Sequence, residues 1–340
     1  MEEAISDIES IERVKHGYEG NAPLVAATNH AETNDKYSTI QTKTQGTPMQ
    51  ITSAIHGLRH SFKVPVAPGI AINRFVYSYL LAGETITLID TGVAGCENTI
   101  FEHIRSIGRD PDEISLIILT HSHPDHIGAA QAIRSITGCS VMAHPAERAW
   151  IEDVDRQNRE RPVPGFSTLV GGPVQLDHEL AEGDVIDPDG TERYEIRIFH
   201  TPGHSAGSVS LLLEEEGALF CGDAIPVEGD VPVYDDALQS VQSIVKLQAV
   251  RGIRVLLSSW DEPQEGDNVS RQMGGAIAYL QKIHESVIMV SSDGTTDPMA
   301  VASRTAIALG LPPQVVSPLL ARTIAANLRI RDQPDLVKKN

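Results

Sequence analysis

Thr120-His121-Ser122-His123-Pro124-Asp125-His126 follows directly on the apolar run Ile114-Ser115-Leu116-Ile117-Ile118-Leu119. The run is short, apolar and bounded by turn-forming residues, which reads as a buried strand. The histidines therefore fall on the loop at the carboxyl end of a core strand, where open sheets place their ligands. Three imidazoles packed so closely repel one another if protonated and add little to packing. Held neutral, they supply nitrogen ligands suited to zinc, iron, manganese or nickel. His121 and His123 lie two apart and project to one side of an extended turn. Asp125 and His126 are adjacent and point apart, which suits a second metal position beside the first. A helix N-terminus with chance histidines would account for Asp125 but not for three imidazoles. Ile127 to Ile136 reads as a helix leaving the loop.

Three more segments fall in order around this cluster. Leu88-Ile89-Asp90-Thr91-Gly92 precedes it; Thr201-Pro202-Gly203-His204-Ser205-Ala206-Gly207-Ser208 and Phe220-Cys221-Gly222-Asp223 follow it. Together the four motifs resemble the metallo-β-lactamase superfamily, over roughly residues 50 to 265. The resemblance implies an α/β chain folded as the four-layer αββα metallo-β-lactamase sandwich. Three parts are expected: a polar N-terminal extension (1–48), the fold domain (49–265) and a C-terminal helical region (266–340). It further implies that His121, His123 and His204 hold one metal, that Asp125 and His126 hold another, and that Asp223 bridges them. Zinc is the expected ion, one or two per chain, with iron or manganese as alternatives.

Such a site points to hydrolysis. Two ions about 3.5–4 Å apart share a hydroxide whose pKa falls towards about 7, and it attacks a carbonyl or phosphoryl centre. The ions stabilise the developing oxyanion. Asp125 is the candidate catalytic side chain, orienting the water or carrying its proton. The expected function is a metal-dependent hydrolase of a small-molecule ester, thioester, lactone, amide or phosphodiester. A mononuclear iron sulfur dioxygenase-like enzyme and a non-catalytic metal-binding sensor are the two readings of another class. Asp223-Ala224-Ile225-Pro226 lacks the Thr-Leu-Phe-like run of glyoxalase II-like enzymes and the Tyr of some lactonases.

One departure from the family pattern matters. The usual final His is absent from Arg254-Val255-Leu256-Leu257-Ser258-Ser259-Trp260-Asp261-Glu262-Pro263, and Trp260 stands about where it would be. Asp261 or Glu262 could replace the imidazole with a carboxylate, which hard cations tolerate. The second metal could instead be weak, leaving a single ion at His121, His123, His204 and Asp223. Or Trp260 could wall the substrate pocket. Asp261 is the favoured ligand, with a helix N-cap as its bland alternative. His200 reads as a packing residue beside the site and His144 as a residue of the rim. The remaining histidines show no ligand-like spacing.

Composition agrees. A chain of 340 residues can bury a substantial core, but aromatics make up only 4%, so aliphatic residues must fill it. A net charge of −19 with no Lys/Arg cluster argues against a nucleic-acid substrate. No run reaches membrane-spanning length, and Met1-Glu2-Glu3-Ala4 is unlike a signal peptide. Cys96, Cys139 and Cys221 lie far apart without a C-x-x-C, as buried free thiols in a reducing cytoplasm would. A cytoplasmic protein acting on a small molecule, without membrane contact, is expected.

Ile5 to Val14 reads as a short helix and Asn29 to Gln50 as a polar linker. Tyr77 to Gly83 and Thr85 to Asp90 form a hairpin turning at Gly83-Glu84, and a helix follows over about Asn98 to Ile107. Glu152 to Pro173, with Arg156, Arg159 and Arg161, is either a lid whose arginines hold a substrate carboxylate or phosphate, or a surface excursion. Helices are expected over Gly274 to Val290, Met299 to Leu309 and Pro318 to Leu328, the last capped by Ser317. They could pack on the fold, cap the site or complete a homodimer.

Overall fold

The computed structural model describes residues 48–67 and 69–337. The helix expected over Ile5 to Val14 lies outside them, as does the polar stretch before residue 48. Seven strands form one sheet in sequence order: β1 (Met49–Gln50), β2 (Ile55–Ala67), β3 (Ile70–Ala82), β4 (Ile86–Ile89), β5 (Ile114–Ile118), β6 (Ser140–Ala143) and β7 (His178–Glu179). A second sheet runs from β8 (Val185–Ile186) through β9 (Ile196–His200), β10 (Val209–Leu213), β11 (Ala218–Gly222) and β12 (Val255–Ser258) to β13 (Gln264–Glu265). The first sheet is antiparallel to β4 and parallel from β4 to β7. In the second only β11 and β12 are parallel.

Helices flank both sheets. α1 (Cys96–Ser106), α2 (Pro124–Ile127), α3 (Ala130–Thr137), α4 (Arg148–Ile151), α5 (Val154–Glu160) and α6 (Phe166–Leu169) belong to the first half. α7 (Ala237–Gln248), α8 (Asp267–Val290), α9 (Pro298–Ala308) and α10 (Pro318–Leu328) belong to the second. Three apolar cores separate the layers. One lies between the first sheet and its helices, around Leu88, Ile100, Ile117 and Ile133. The middle core joins the sheets through Tyr79, Ile118, Ile198 and Phe220. The third packs Leu219 and Leu256 against Ile244 and Leu280 of α7 and α8. Helix, sheet, sheet, helix is the αββα order that the motifs imply. α9 and α10 add a smaller cluster against the end of α8. No helix among the described residues is long and apolar enough to cross a membrane, and the three cysteines are buried and free.

Local chemistry explains most boundaries. β5 is apolar because a parallel inner strand is covered on both faces. The hairpin turn falls between Ala82 and Ile86, as Gly83-Glu84 suggests. The β2–β3 hairpin is much longer than the sequence reading, with thirteen residues in each strand. Pro65 hides its length: proline breaks a ladder, but here it sits beside a register shift and beyond the short reach of β1. The cluster helix is split into α2 and α3 around Gly128, and α8 starts earlier than expected, after Gly266. Ser317 caps α10, with Pro318 in its first turn.

Candidate metal centre

Parallel pairing brings the motif loops to one edge. β4 and β5 are parallel, so Asp90 and the His121–His126 loop leave the same end of the first sheet. β11 and β12 are parallel too, so Asp223 and Trp260 leave the same end of the second. Val209 N–H donates to the Thr120 carbonyl at 2.9 Å, and Tyr77 N–H to the Ser259 carbonyl at 2.8 Å, which seams the two edges together. Gly222 permits the closest approach: its φ is +50°, and a Cβ there would sit 2.7 Å from Thr120 Oγ1.

His121, His123, His204 and Asp223 converge, with one ligand atom from each lying within 4.8 Å of all the others. His204 Nε2 is 2.8 Å from His123 Nδ1 and 3.1 Å from His121 Nε2. Asp223 Oδ2 lies 3.4 Å from His204 Nε2 and 3.9 Å from His121 Nε2. On the other side, Asp223 Oδ1 is 3.3 Å from His126 Nε2, and Asp125 Oδ2 is 3.7 Å from that nitrogen. Asp223 therefore faces two adjoining corners, one nitrogen-rich and one carboxylate-rich.

Hydrogen bonds behind the rings fix their tautomers. His204 Nδ1 donates to the Val233 carbonyl at 2.7 Å, since a carbonyl only accepts, and this leaves Nε2 a lone pair. Thr120 Oγ1 gives its proton to Asp90 Oδ2 at 2.7 Å, so it accepts from His121 Nδ1 at 3.0 Å. His121 Nε2 is then also a lone pair. Two lone pairs 3.1 Å apart share no proton and oppose one another unless a cation stands between them. Asp90 accepts from Thr120 N–H at 2.8 Å and from His126 Nδ1 at 2.8 Å, aiming His126 Nε2 at the site. His126 Nε2 and Asp223 Oδ1 are buried with no hydrogen-bond partner among the described residues. These orphaned atoms and the borderline-soft donor set fit a divalent metal.

Charge separates the corners. Burial pushes His121 and His123 well below the usual imidazole range, and neighbouring histidines push in the same direction. Burial acts on His126 likewise, but Asp223, Asp90 and Asp125 outweigh it and hold its pKa well above the usual value. Asp223 is drawn well below the carboxylate range by His126 and His204 against the cost of burial. Burial, aided by Asp223, raises Asp125.

Asp261 is not brought into the cluster. Ser258 Oγ accepts from the N–H groups of Trp260 and Asp261, at 3.3 and 3.2 Å, and the resulting turn sends the indole inward. The Asp261 carboxylate instead accepts from Glu262 N–H at 2.8 Å and Gln264 Nε2 at 3.4 Å. Nor does it cap a helix, because α8 begins after Gly266. Trp260 Nε1 donates to Asp223 Oδ2 at 2.8 Å. The Arg74 guanidinium covers the indole at 4.2 Å and grips Asp230 through both nitrogens at 3.2 and 3.3 Å.

One buttress escaped the sequence reading. Glu147 is fully buried and accepts from Ser122 N–H at 3.1 Å, Ser205 Oγ at 2.5 Å and Gly207 N–H at 2.6 Å, as well as from Ser122 Oγ. It ties the His121–His126 loop to the His204 loop across the sheets. Gly207 is required there, since a Cβ would lie 2.7 Å from Glu147 Cγ. His144 and His200 stack on each other with ring centres 4.1 Å apart, and His200 Nε2 donates to the Ala206 carbonyl at 2.9 Å.

Comparison with known proteins agrees with this picture. The chain is 29% identical over 192 residues to a probable metallo-hydrolase of Methanocaldococcus jannaschii, a match covering 54% of this chain and 87% of that protein. It is 31% identical over 166 residues to the probable metallo-hydrolase YqgX of Bacillus subtilis, covering 48% of this chain and 70% of the relative. Among solved structures, a metallo-beta-lactamase family protein of Thermus thermophilus superposes with a TM-score of 0.60 at 23% identity, covering 81% of this chain and 93% of that one. A beta-lactamase domain protein of Burkholderia ambifaria gives 0.63 at 17% identity, covering 86% and 91%; both likenesses speak to the fold. The family model described as the metallo-beta-lactamase superfamily matches residues 71–288. With most of the chain inside that match and its motifs meeting at one edge, the chain belongs to the metallo-beta-lactamase superfamily.

Proposed function

We propose that the chain is a metal-dependent hydrolase of small molecules, with zinc as the ion and His121, His123, His204 and Asp223 as its primary ligands. The reading rests on one observation: the Nε2 lone pairs of His121 and His204 face each other 3.1 Å apart beside His123 Nδ1. Bound there, a divalent ion lowers the pKa of a water and polarises the bond to be cleaved. Asp223 balances the charge of that corner through Oδ2 and offers Oδ1 to the neighbouring corner of Asp125 and His126. Asp125 holds or returns the proton of the attacking water. Asp90 keeps His126 oriented, and Glu147 keeps the two ligand loops together. The net charge of −19 favours a small molecule over nucleic acid.

Trp260 favours a second reading. It occupies the edge from which a further ligand would come and spends its N–H on Asp223, which would leave one ion and suit an iron oxygenase. Elemental analysis of protein purified without added metal, paired with assays of ester and thioester cleavage, tests both. Zinc with chelator-sensitive hydrolysis is expected. One iron per chain with oxygen uptake and no hydrolysis would overturn the proposal in favour of the second reading, and a metal-free, inactive protein would reject both.

A further inference from the structure

Arg161 ends α5, one turn after Gln157, whose Nε2 donates to the Ser122 carbonyl at 2.5 Å within the His121–His126 loop. That contact carries Arg161 to the flank of the metal corner. Its guanidinium lies over the Trp150 ring at 4.3 Å, and its Nη2 is 3.5 Å from Asp235 Oδ2. Nη1 is shielded from solvent and has no hydrogen-bond partner among the described residues. Asp235 is shared, because Arg322 of α10 donates to its Oδ1 at 2.7 Å. The loop holding Asp235 is itself pinned to the site: Asp235 N–H donates to the Gly203 carbonyl at 2.8 Å, and the Val233 carbonyl accepts from His204.

Two guanidinia thus divide one carboxylate. The carboxylate they share lies in the loop that orients His204 through the Val233 carbonyl, which sets the pair at the flank of the metal corner. Leaving a charged donor buried and unmet is costly, and a stack on Trp150 does not satisfy it. Arg322 and Asp235 are each about a third exposed, so the unit is open to a small molecule at that end. A guanidinium presents its donors as a planar fork matched to carboxylate and phosphate oxygens.

We propose that Arg161 and Arg322 form an anion subsite that takes a carboxylate or phosphate group of the substrate, held beside the metal centre. This rests on the hydrolase reading and narrows it: the preferred substrates carry a negative charge away from the bond that is cut. The subsite joins the insertion after β6 to the C-terminal helices, giving both a share in specificity.

The test is equilibrium binding to the full-length, zinc-loaded protein. Inorganic phosphate and succinate are titrated separately by calorimetry, with the fluorescence of Trp150 as a second signal. At least one probe is expected to bind, and Arg161→Gln and Arg322→Gln should each weaken it about tenfold, the equivalent of about 1.4 kcal/mol, with zinc content unchanged. Preference for one probe identifies the oxyanion. Equal affinity in wild type and both variants, or no binding of either probe by wild type, overturns the subsite. Should Arg161→Gln fail to fold, Arg322→Gln at the exposed end decides. A wild type that binds the probes but cleaves no ester would sink the hydrolase reading alone.

Discussion

At one corner of the centre three imidazoles, His121, His123 and His204, meet a single carboxylate oxygen of Asp223. At the adjoining corner one imidazole, His126, meets Asp90, Asp125 and Asp223. His121 and His126 are both buried, yet His126 is driven towards the charged form while His121 and His123 are driven towards the neutral one. Burial alone discharges an imidazole; three carboxylates around the ring reverse the outcome. The first corner therefore presents bare nitrogen lone pairs and one carboxylate oxygen, donors that could hold a metal. The second is anionic, and Trp260 stands on its edge in place of a further ligand.

The contrast breaks most completely if the first corner is not the primary site. His121→Ala should abolish metal retention there and cut hydrolysis by about a thousandfold, the scale on which loss of one electrostatic stabiliser acts. Metal analysis and circular dichroism check this, and loss of the fold in the metal-free variant would mean that the ring is structural.

His60 tests the charge rule away from any ligand. It is buried, pairs with Ser78 Oγ at 2.7 Å, and burial holds its pKa down at about 4 against an ordinary value of 6.5. As pH falls below about 6.5 the unfolded chain takes up a proton that the fold refuses, so stability drains away until pH reaches about 4, by about 3 kcal/mol in all. Urea unfolding with chelator present should show a shallower acid slope for His60→Gln than for wild type. Parallel slopes would remove His60 as the cause.

Asp90→Asn sharpens the second corner. Asparagine accepts the positive φ of 58° at this position, so the change removes charge while sparing the backbone. Affinity at the Asp125–His126 corner should fall about 10- to 100-fold, as losing a partner behind a ligand does. Calorimetric metal titration should show a smaller fall at the first corner, which Asp90 reaches only through Thr120 and His121; an equal fall at both corners would erase the distinction. The smallest effect expected is that of Trp260→Phe, which deletes the hydrogen bond to Asp223 and should cost about 1.5 kcal/mol of metal-free stability. A neutral result in denaturant unfolding would show that the indole merely fills space.

The sequence disclosed what is local and hid what is tertiary. The His121–His126 loop and Asp223 were legible because each follows an apolar strand, and His204 because its Thr-Pro-Gly-His turn carries chemistry that packing does not need. Asp90 was visible as a turn, but its grip on His126 depends on the parallel pairing of β4 with β5. Glu147 was illegible as a buttress, since nothing local marks a carboxylate that will be buried among Ser122, Ser205 and Gly207. Asp261 reads as a ligand because a carboxylate can stand in for the missing imidazole. The turn at Ser258 instead gave the inward direction to its neighbour, Trp260.

Asp223 sits 102 positions after His121, at the end of a strand of the far sheet. During synthesis the histidine loop leaves the ribosome well before the strand that completes the site. A nascent chain ending before β11 would hold its histidines without Asp223, so the four-residue cluster can assemble only once both sheets have closed. The order of translation thus sets when the candidate metal centre can first assemble.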